Sequence, residues 1–218
     1  MTAGTRVWDF PTRLFHWLLV ALVGFSWWSA ENGAMDWHYL SGLTLLGLLA
    51  FRLCWGLFGG STARFAGFVR SPRAVLAYLK GQGGAPEIGH NPLGGYSTIL
   101  MLLLLAAQVT GGLFATDIDG LESGPLSYLV TFEQGRIAAE LHEAMFNLLL
   151  IVIGLHVLAI LFYLLVRKRN LVRPMVTGRD AAADPAAAPL RPASASAFVA
   201  ACAVAVALAW AASKGFWL

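Results

Sequence analysis

Hydrophobic residues are concentrated in five long runs, which are separated by polar, charged or glycine- and proline-rich stretches. The runs cover approximately residues 14–29, 37–58, 93–115, 141–166 and 197–218. Most of them reach the length of about 20 apolar residues that an α-helix needs to cross the hydrocarbon core of a bilayer. Pro11 and Thr12 precede the first run and are typical of a helix start. The pattern therefore predicts an all-α membrane protein.

The composition agrees with this prediction and excludes several cofactors. Of the 218 residues, 58% are hydrophobic and 12% are charged, whereas about 25% are charged in a typical soluble domain. The net charge of +3 is small and gives no indication of nucleic-acid binding. Only Cys54 and Cys202 are present, each inside an apolar run. A CxxCH motif for covalent haem, a cysteine-ligated zinc site and an iron–sulfur cluster are therefore excluded.

Lysine and arginine are distributed unevenly between the loops, and this distribution predicts the orientation. The stretches after the second and fourth runs are basic, as cytoplasmic loops of membrane proteins usually are. The loop between the third and fourth runs is acidic, so we expect it on the periplasmic side of a bacterial inner membrane. With five spans, the N-terminus is then cytoplasmic and the C-terminus periplasmic. The basic residues are Arg64, Arg70, Arg73, Lys80, Arg167, Lys168, Arg169, Arg173 and Arg179, and the acidic loop has Asp117, Asp119, Glu122, Glu133, Glu140 and Glu143 against Arg136.

Residues 180–196 are rich in alanine and proline and low in complexity, which is typical of a flexible linker. We therefore divide the chain into a four-helix unit at 1–180, a linker at 181–196 and a fifth transmembrane helix at 197–218. The fifth run is rich in alanine, which favours close helix packing. This helix could bind a partner subunit or join copies of the chain into a homo-oligomer.

Four of the five histidines lie in or at the edge of apolar runs. His142 and His156 are 14 residues apart, which is about 21 Å along an α-helix, and both side chains leave the same face of it. A histidine that faced lipid would be costly, so this face is expected to point into a helix bundle. The orientation of the runs places His16 at the depth of His156, near the cytoplasmic surface. It places His38 at the depth of His142, near the periplasmic surface.

Two histidine pairs at two depths predict two haem groups. We refer to His16 and His156 as the inner pair and to His38 and His142 as the outer pair. Two imidazoles fill both axial positions of a low-spin b-type haem iron, and helix bundles build such sites from facing helices. The alternatives are histidines at helix ends in the membrane interface and histidines of a proton relay. The sequence thus predicts a four-helix transmembrane bundle that encloses two non-covalent b haems, plus the fifth C-terminal helix.

Further residues within the runs are candidates for contacts with these haems. Arg52 lies 14 residues after His38 and is expected to pair with a propionate of the inner haem, although its side chain could instead extend to the cytoplasmic surface. Gly42, one turn after His38, would let the flat macrocycle approach the helix, or would serve helix packing. Gln108 and Asn147 lie at similar depths, and we expect them to bond each other or polar groups near the outer haem.

Four stretches of the sequence resemble the bacterial cytochrome b561 family, in the wider group that includes the di-haem cytochrome b subunits of nickel–iron hydrogenases. They are VWDFPTRLFHW at 7–17, FRLCWGLFGGSTARFAGF at 51–68, GHNPLGG at 89–95 and RNLVRPMVTGR at 169–179. The resemblance covers residues 1–180. It implies two non-covalent b haems and exchange of electrons with the quinone pool, often together with a cytochrome c or another redox subunit. His90 is expected to contact its loop or a haem propionate, with a role at a quinone site as the alternative.

Three functions are compatible with these features. The first is transmembrane electron transfer between quinone or quinol and a periplasmic redox protein, with a c-type cytochrome as the preferred partner. The second is oxidation of superoxide at the periplasmic face with quinone as acceptor, which the resemblance implies for some members. An acidic loop disfavours a small anion and favours a basic cytochrome c, so we prefer the first function. The third is a cytochrome b subunit that anchors a larger redox enzyme in the membrane.

Overall fold

The structure, a computed structural model, describes residues 4–82, 88–183 and 190–215. These residues form eight α-helices and one antiparallel pair of two-residue strands. Strands β1 (Thr5–Arg6) and β2 (Arg179–Asp180) pair with Thr5 opposite Asp180. The helices are α1 (Phe10–Glu31), α2 (Met35–Phe58), α3 (Phe65–Phe68), α4 (Pro72–Leu79), α5 (Pro92–Phe114), α6 (Phe132–Leu165), α7 (Val172–Thr177) and α8 (Ala195–Ser213).

Four helices of the described residues, α2, α5, α6 and α8, are long and apolar enough to cross a membrane. The chain is therefore a multi-pass membrane protein, as the hydrophobic runs predicted. Helix α1 has 22 residues, but it is not among these four because its tryptophans and His16 lower its mean hydropathy. Tryptophan is common where helices meet the membrane surface. A transmembrane position for α1, and with it the count of five spans, stays a prediction.

Helix α6 is longer than the apolar run that predicted it. Its 34 residues extend over about 51 Å, well beyond a hydrocarbon core of about 30 Å. At its start the backbone N–H of Gln134 donates to Thr131 Oγ1 at 3.3 Å, and the backbone N–H of Thr131 donates to Gln134 Oε1 at 3.0 Å. This reciprocal pair is a capping box, which lets the helix begin among polar residues ahead of the apolar run.

The described residues form two compact units, and several helices contribute to both. The predicted division of the chain at residues 180 and 196 stays a prediction. The first unit takes its residues from Met1–Phe15, Arg52–Leu100 and Ile153–Val199, and the second from His16–Phe51, Met101–Val152 and Ala200–Leu218.

In the first unit, Asp9 fixes the start of α1 and ties it to the end of α2. Its Oδ1 accepts a hydrogen bond from the backbone N–H of Thr12 at 2.8 Å, which caps the helix. Its Oδ2 accepts from Trp55 Nε1 at 3.1 Å. Asp9 is buried, and the neighbouring Val7 and Trp8 are buried as well. The WDFPT part of the 7–17 motif therefore positions the segment that carries His16.

The same unit anchors the connecting segments. Tyr78 of α4 and Tyr163 of α6 share a hydrogen bond of 2.6 Å between their hydroxyls, and Asn91 Nδ2 donates to Tyr163 at 3.0 Å. Within the predicted linker (181–196), of which residues 184–189 lie outside the described residues, Arg191 pairs with Ser61. The backbone N–H of Ser61 donates to Arg191 O at 3.0 Å, and the backbone N–H of Arg191 donates to Ser61 Oγ at 3.0 Å.

In the second unit, α8 packs against α2 of the same chain. A Cβ added at Gly47 would lie 3.2 Å from Ala205 O and 3.5 Å from Ala209 Cβ, so a glycine permits this close approach. The hydroxyl of Tyr128 also donates to Gly215 O at the end of α8. The fifth helix thus has a packing partner within the chain. Its predicted role in binding a partner subunit or a second copy stays a prediction.

Candidate functional site

The outer pair, His38 and His142, lies together within the second unit. His38 is in the first turn of α2, and His142 is in α6. The centroids of the two rings are 5.9 Å apart, and the ring planes are at 89° to each other. The sequence placed these two residues at the same depth on different helices, and their rings are neighbours.

A backbone carbonyl orients each ring of the outer pair. Nδ1 of His38 lies 2.9 Å from Ser26 O, and Nδ1 of His142 lies 2.8 Å from Gln108 O. A carbonyl oxygen only accepts hydrogen bonds, so each Nδ1 carries the proton. The neutral ring then has its lone pair on Nε2, which is the arrangement found when a histidine binds a metal. Both members of the outer pair therefore present the same type of donor atom.

Residues around His142 complete this site. A Cβ added at Gly112 would lie 2.9 Å from Cε1 of His142, so the ring requires a glycine there. Gln108 Nε2 lies 3.2 Å from His142 Nε2, and Gln108 Oε1 is buried without a hydrogen-bond partner among the described residues. Of the partners that the sequence left open for Gln108, the structure shows a polar group of the outer site, namely the ring of His142. His142 Nε2 would hold the iron, and Gln108 would then need another partner for its amide.

The donor set of the outer pair fits a b-type haem. The ring centroids are 5.9 Å apart, so the two imidazoles are close enough to hold one iron together. A Cβ added at Gly42 would meet no atom of the described residues within 4 Å, so none of these residues requires a glycine one turn after His38. When bound, a b haem would supply one-electron transfer, and the two histidines would hold its iron.

In the first unit, Arg52 is a buried cation among aromatic rings. Only 3% of this residue is exposed, and one guanidinium nitrogen, NH1, is buried without a hydrogen-bond partner among the described residues. Its Cζ lies 4.8 Å from the ring centroid of Phe65 and 5.9 Å from that of Phe68. These cation–π contacts stabilise the charge only in part. Arg52 is therefore buried in the first unit, which disfavours the alternative that it extends to the membrane surface.

His90 lies in the same unit, half-buried in a similar aromatic setting. Its ring packs edge-on against Trp8, with 4.8 Å between the centroids, and is tilted by 37° against Phe68, with 4.5 Å between the centroids. Burial, followed by the positive charge of Arg52, lowers the pKa of His90 to about 4, so the ring is neutral at physiological pH. Its Nδ1 is buried and has no hydrogen-bond partner among the described residues. Arg52 and His90 thus give this unit two buried polar groups with unused hydrogen-bonding capacity.

The inner pair is distributed over both units. His16, in α1, belongs to the second unit, and His156, in α6, belongs to the first. Their pairing across one iron rests on the depth argument from the sequence and stays a prediction.

Two contacts of the outer site were not predicted from the sequence. Ser26 orients His38, and its hydroxyl also lies 3.2 Å from Nδ1 of that ring. The second contact is that of Gly112 with the ring of His142. A serine within an otherwise apolar run, 12 residues before a histidine, was the available signal for the first contact.

A membrane protein of long apolar helices with paired, pre-oriented imidazoles belongs to the class of transmembrane b-type cytochromes. The family profile of prokaryotic cytochrome b561 matches residues 7–178, and the chain belongs to this family. The match confirms the resemblance carried by the four sequence stretches, and it assigns b-type haem binding and transmembrane electron transfer to the chain. No curated protein and no solved structure matches the chain significantly.

Proposed function

We propose that the chain binds two b haems, one at the outer pair and one at the inner pair, and transfers electrons between the quinone pool and a periplasmic redox protein. The geometry of His38 and His142 carries this proposal, since the two rings are neighbours and each has its Nδ1 bound to a carbonyl, which leaves the Nε2 lone pair for a metal. The inner haem rests on the predicted depth of His16 and His156. The cytoplasmic N-terminus, periplasmic C-terminus and inner-membrane location are part of the same proposal.

In this proposal, Arg52 binds a propionate of the inner haem. A buried guanidinium with an unpaired nitrogen favours a nearby anion strongly, because charge-assisted hydrogen bonds are about twice as strong as neutral ones. His90, which lies beside the same aromatic residue Phe68, would donate or accept a hydrogen bond at that haem edge. Gly42 would keep the face of α2 beside His38 accessible to the outer macrocycle. A role for His90 at the quinone site is the alternative within this proposal.

The charges of the acidic loop, which we take as residues 117–143, support a c-type cytochrome as the redox partner. Five of its six acidic side chains are exposed, and its one arginine, Arg136, lies 4.0 Å from Glu140 and donates to Thr116 O at 3.1 Å. Little positive charge is left to attract a small anion. A field of this sign accelerates association with a basic protein and slows association with superoxide.

A stopped-flow comparison tests this assignment. The quinol-reduced, haem-loaded chain is mixed with an oxidised basic c-type cytochrome at low and high ionic strength, and the oxidised chain is mixed with superoxide under the same conditions. We expect rapid electron transfer to the cytochrome, and we expect its rate to fall at least tenfold at high salt. At low salt, the double variant Asp119→Asn/Glu122→Gln should transfer electrons more slowly than the wild type. Rapid haem reduction by superoxide with little dependence on salt would instead support a superoxide:quinone oxidoreductase.

The third candidate, a cytochrome b anchor subunit of a larger enzyme, rests on the fifth helix. Purification in mild detergent of the chain with and without residues 181–218 tests it. A redox subunit that copurifies only with the longer chain would support the anchor function.

A further inference from the structure

A cavity of about 350 Å³ lies where the chain leaves α6, and its wall is strongly basic. The electron-transfer proposal does not use this cavity. Its ten lining residues come from the segment that joins α6 to α7, from α7 itself and from the segment around β2. Five of them are cationic and one is acidic, namely Arg167, Lys168, Arg169, Arg173 and Arg179 against Asp180.

The single carboxylate of this basic pocket is already fully engaged. Asp180 Oδ2 accepts a hydrogen bond from Arg169 at 3.1 Å, and Oδ1 accepts from the backbone N–H of Ala182 at 2.9 Å. Among the described residues, no carboxylate pairs with Arg167, Lys168 or Arg173. Arg169 also has a buried Nε without a hydrogen-bond partner among the described residues. The pocket therefore concentrates positive charge that the described part of the chain does not neutralise.

The backbone holds these cations in place, which distinguishes them from a solvated run of charges. Lys168 has a φ of 53°, the left-handed conformation, and the backbone N–H of the next residue, Arg169, donates to Tyr163 O at 2.9 Å. Asn170 Oδ1 then accepts from the backbone N–H groups of Val172 and Arg173, at 3.0 and 2.9 Å, and so caps α7. This chain reversal brings the cations onto one concave surface.

The position of the pocket along the chain indicates the source of its ligand. It follows directly after the end of α6 at Leu165, where Leu165 and Val166 are exposed apolar residues. Because α6 is a membrane-spanning helix, its end lies close to the level of the lipid headgroups. The two N–H groups of an arginine guanidinium can bind two phosphate oxygens at once. Basic pockets at the cytoplasmic ends of transmembrane helices bind anionic lipid headgroups.

We propose that this pocket binds the phosphate of an anionic phospholipid headgroup. The alternative is a diffuse excess of positive charge on the cytoplasmic side, which would orient the chain in the membrane without binding a lipid at any one position. A built pocket predicts one lipid held at a defined place, and its loss when only the pocket charges are removed.

The full, haem-loaded chain in mild detergent allows a direct test by native mass spectrometry. It is titrated with phosphatidylglycerol, with phosphatidylcholine and with inorganic phosphate. The pocket variant is Arg167→Gln/Arg173→Gln, and the matched control is Arg73→Gln/Lys80→Gln, which removes the same charge from exposed residues of another segment predicted to be cytoplasmic. We expect tight binding of one phosphatidylglycerol, weakened at least tenfold in the pocket variant and less than twofold in the control.

Equal weakening in both double variants would overturn the proposal, because it would indicate a diffuse charge effect. Phosphatidylcholine that binds as tightly as phosphatidylglycerol would also overturn it. Inorganic phosphate that competes at the lipid's own concentration would reassign the pocket to a soluble anion. If the double variant does not fold, Arg173→Lys replaces it: this variant keeps the charge but loses the guanidinium fork, and unchanged lipid affinity in it would contradict phosphate recognition by Arg173.

Discussion

The surroundings of the outer pair differ from those of Arg52 and His90 in one respect. Around the outer pair, the chain itself supplies the partners, since Ser26 O and Gln108 O each accept from an Nδ1 and leave an Nε2 for iron. Around Arg52 and His90, the described residues supply aromatic rings but leave a guanidinium nitrogen and an imidazole nitrogen without partners. The first region is organised to present ligands. The second buries polar groups without hydrogen-bond partners, which costs free energy, and a bound polar group would offset this cost.

Removing one histidine of the outer pair is the most direct test of this comparison. We expect His38→Ala or His142→Ala to lose one haem, which lowers the haem content from about two to about one per chain, because each iron depends on both axial imidazoles. Haem extraction and protein quantification measure the ratio. His90→Asn is the control and should keep both haems. Loss of the outer haem in that control would contradict the assignment of this haem to His38 and His142.

The two glycines Gly42 and Gly24 sharpen the account of how the outer macrocycle is accommodated. A Cβ at either position would meet no atom of the described residues within 4 Å, so contacts of the Cβ itself predict no difference between the two positions. If the macrocycle lies against α2, Gly42→Leu should reduce outer-haem occupancy by about half or more, whereas Gly24→Leu should leave it unchanged. Absorbance of the haem relative to protein measures occupancy. Equal occupancy in the two variants would exclude a haem contact at Gly42.

The second region predicts a pH dependence of the stability through His90. The pKa of His90, lowered to about 4 from the ordinary 6.5, means that the unfolded chain takes up the proton more readily between these two values. The contribution of His90 to the free energy of unfolding is therefore fully present above pH 6.5, and it is lost as the pH falls towards 4. At about pH 5 the loss attributable to His90 is about 2 kcal/mol.

Thermal unfolding of the wild type and of His90→Phe, each at about pH 7 and about pH 5, measures this contribution. Phe fills a similar volume among the same aromatic neighbours and cannot be protonated. The variant should lose less stability on acidification than the wild type. The same acid sensitivity in both proteins would show that His90 does not titrate as its burial requires.

Arg52 gives the smallest of the expected effects. A positive charge beside a haem stabilises the reduced form, so Arg52→Gln should lower the midpoint potential of the inner haem by about 60 mV, a tenfold change for one electron. The outer haem should keep its potential. Arg64→Gln, which removes an arginine that donates to Gly59 O elsewhere in the first unit, is the control. A redox titration that shows equal shifts in both variants would contradict a propionate contact at Arg52.

The sequence predicted the parts of this molecule that depend on long patterns. Apolar runs of bilayer length located the spanning helices α2, α5, α6 and α8, because burial in lipid requires such runs. The spacing of His142 and His156, together with the charges of the loops, sufficed to place His38 and His142 at one level.

Features that depend on a few residues were harder to predict. The start of α6 at Phe132 was missed because an apolar run does not mark polar turns, although the capping box of Thr131 and Gln134 was readable. The contact between Gly112 and His142 depends on how two helices are rotated against each other, which no local pattern records. Strands of two residues, such as β1 and β2, are too short to show an alternation.

The haem content and redox behaviour of the purified wild-type chain test the central claim most directly. A visible-region redox titration, combined with haem quantification and electron paramagnetic resonance, should give about two protohaems per chain, two separate midpoint potentials and low-spin signals typical of bis-imidazole ligation. A single haem per chain, or a high-spin iron with one open axial position, would contradict the pairing of four histidines across two irons.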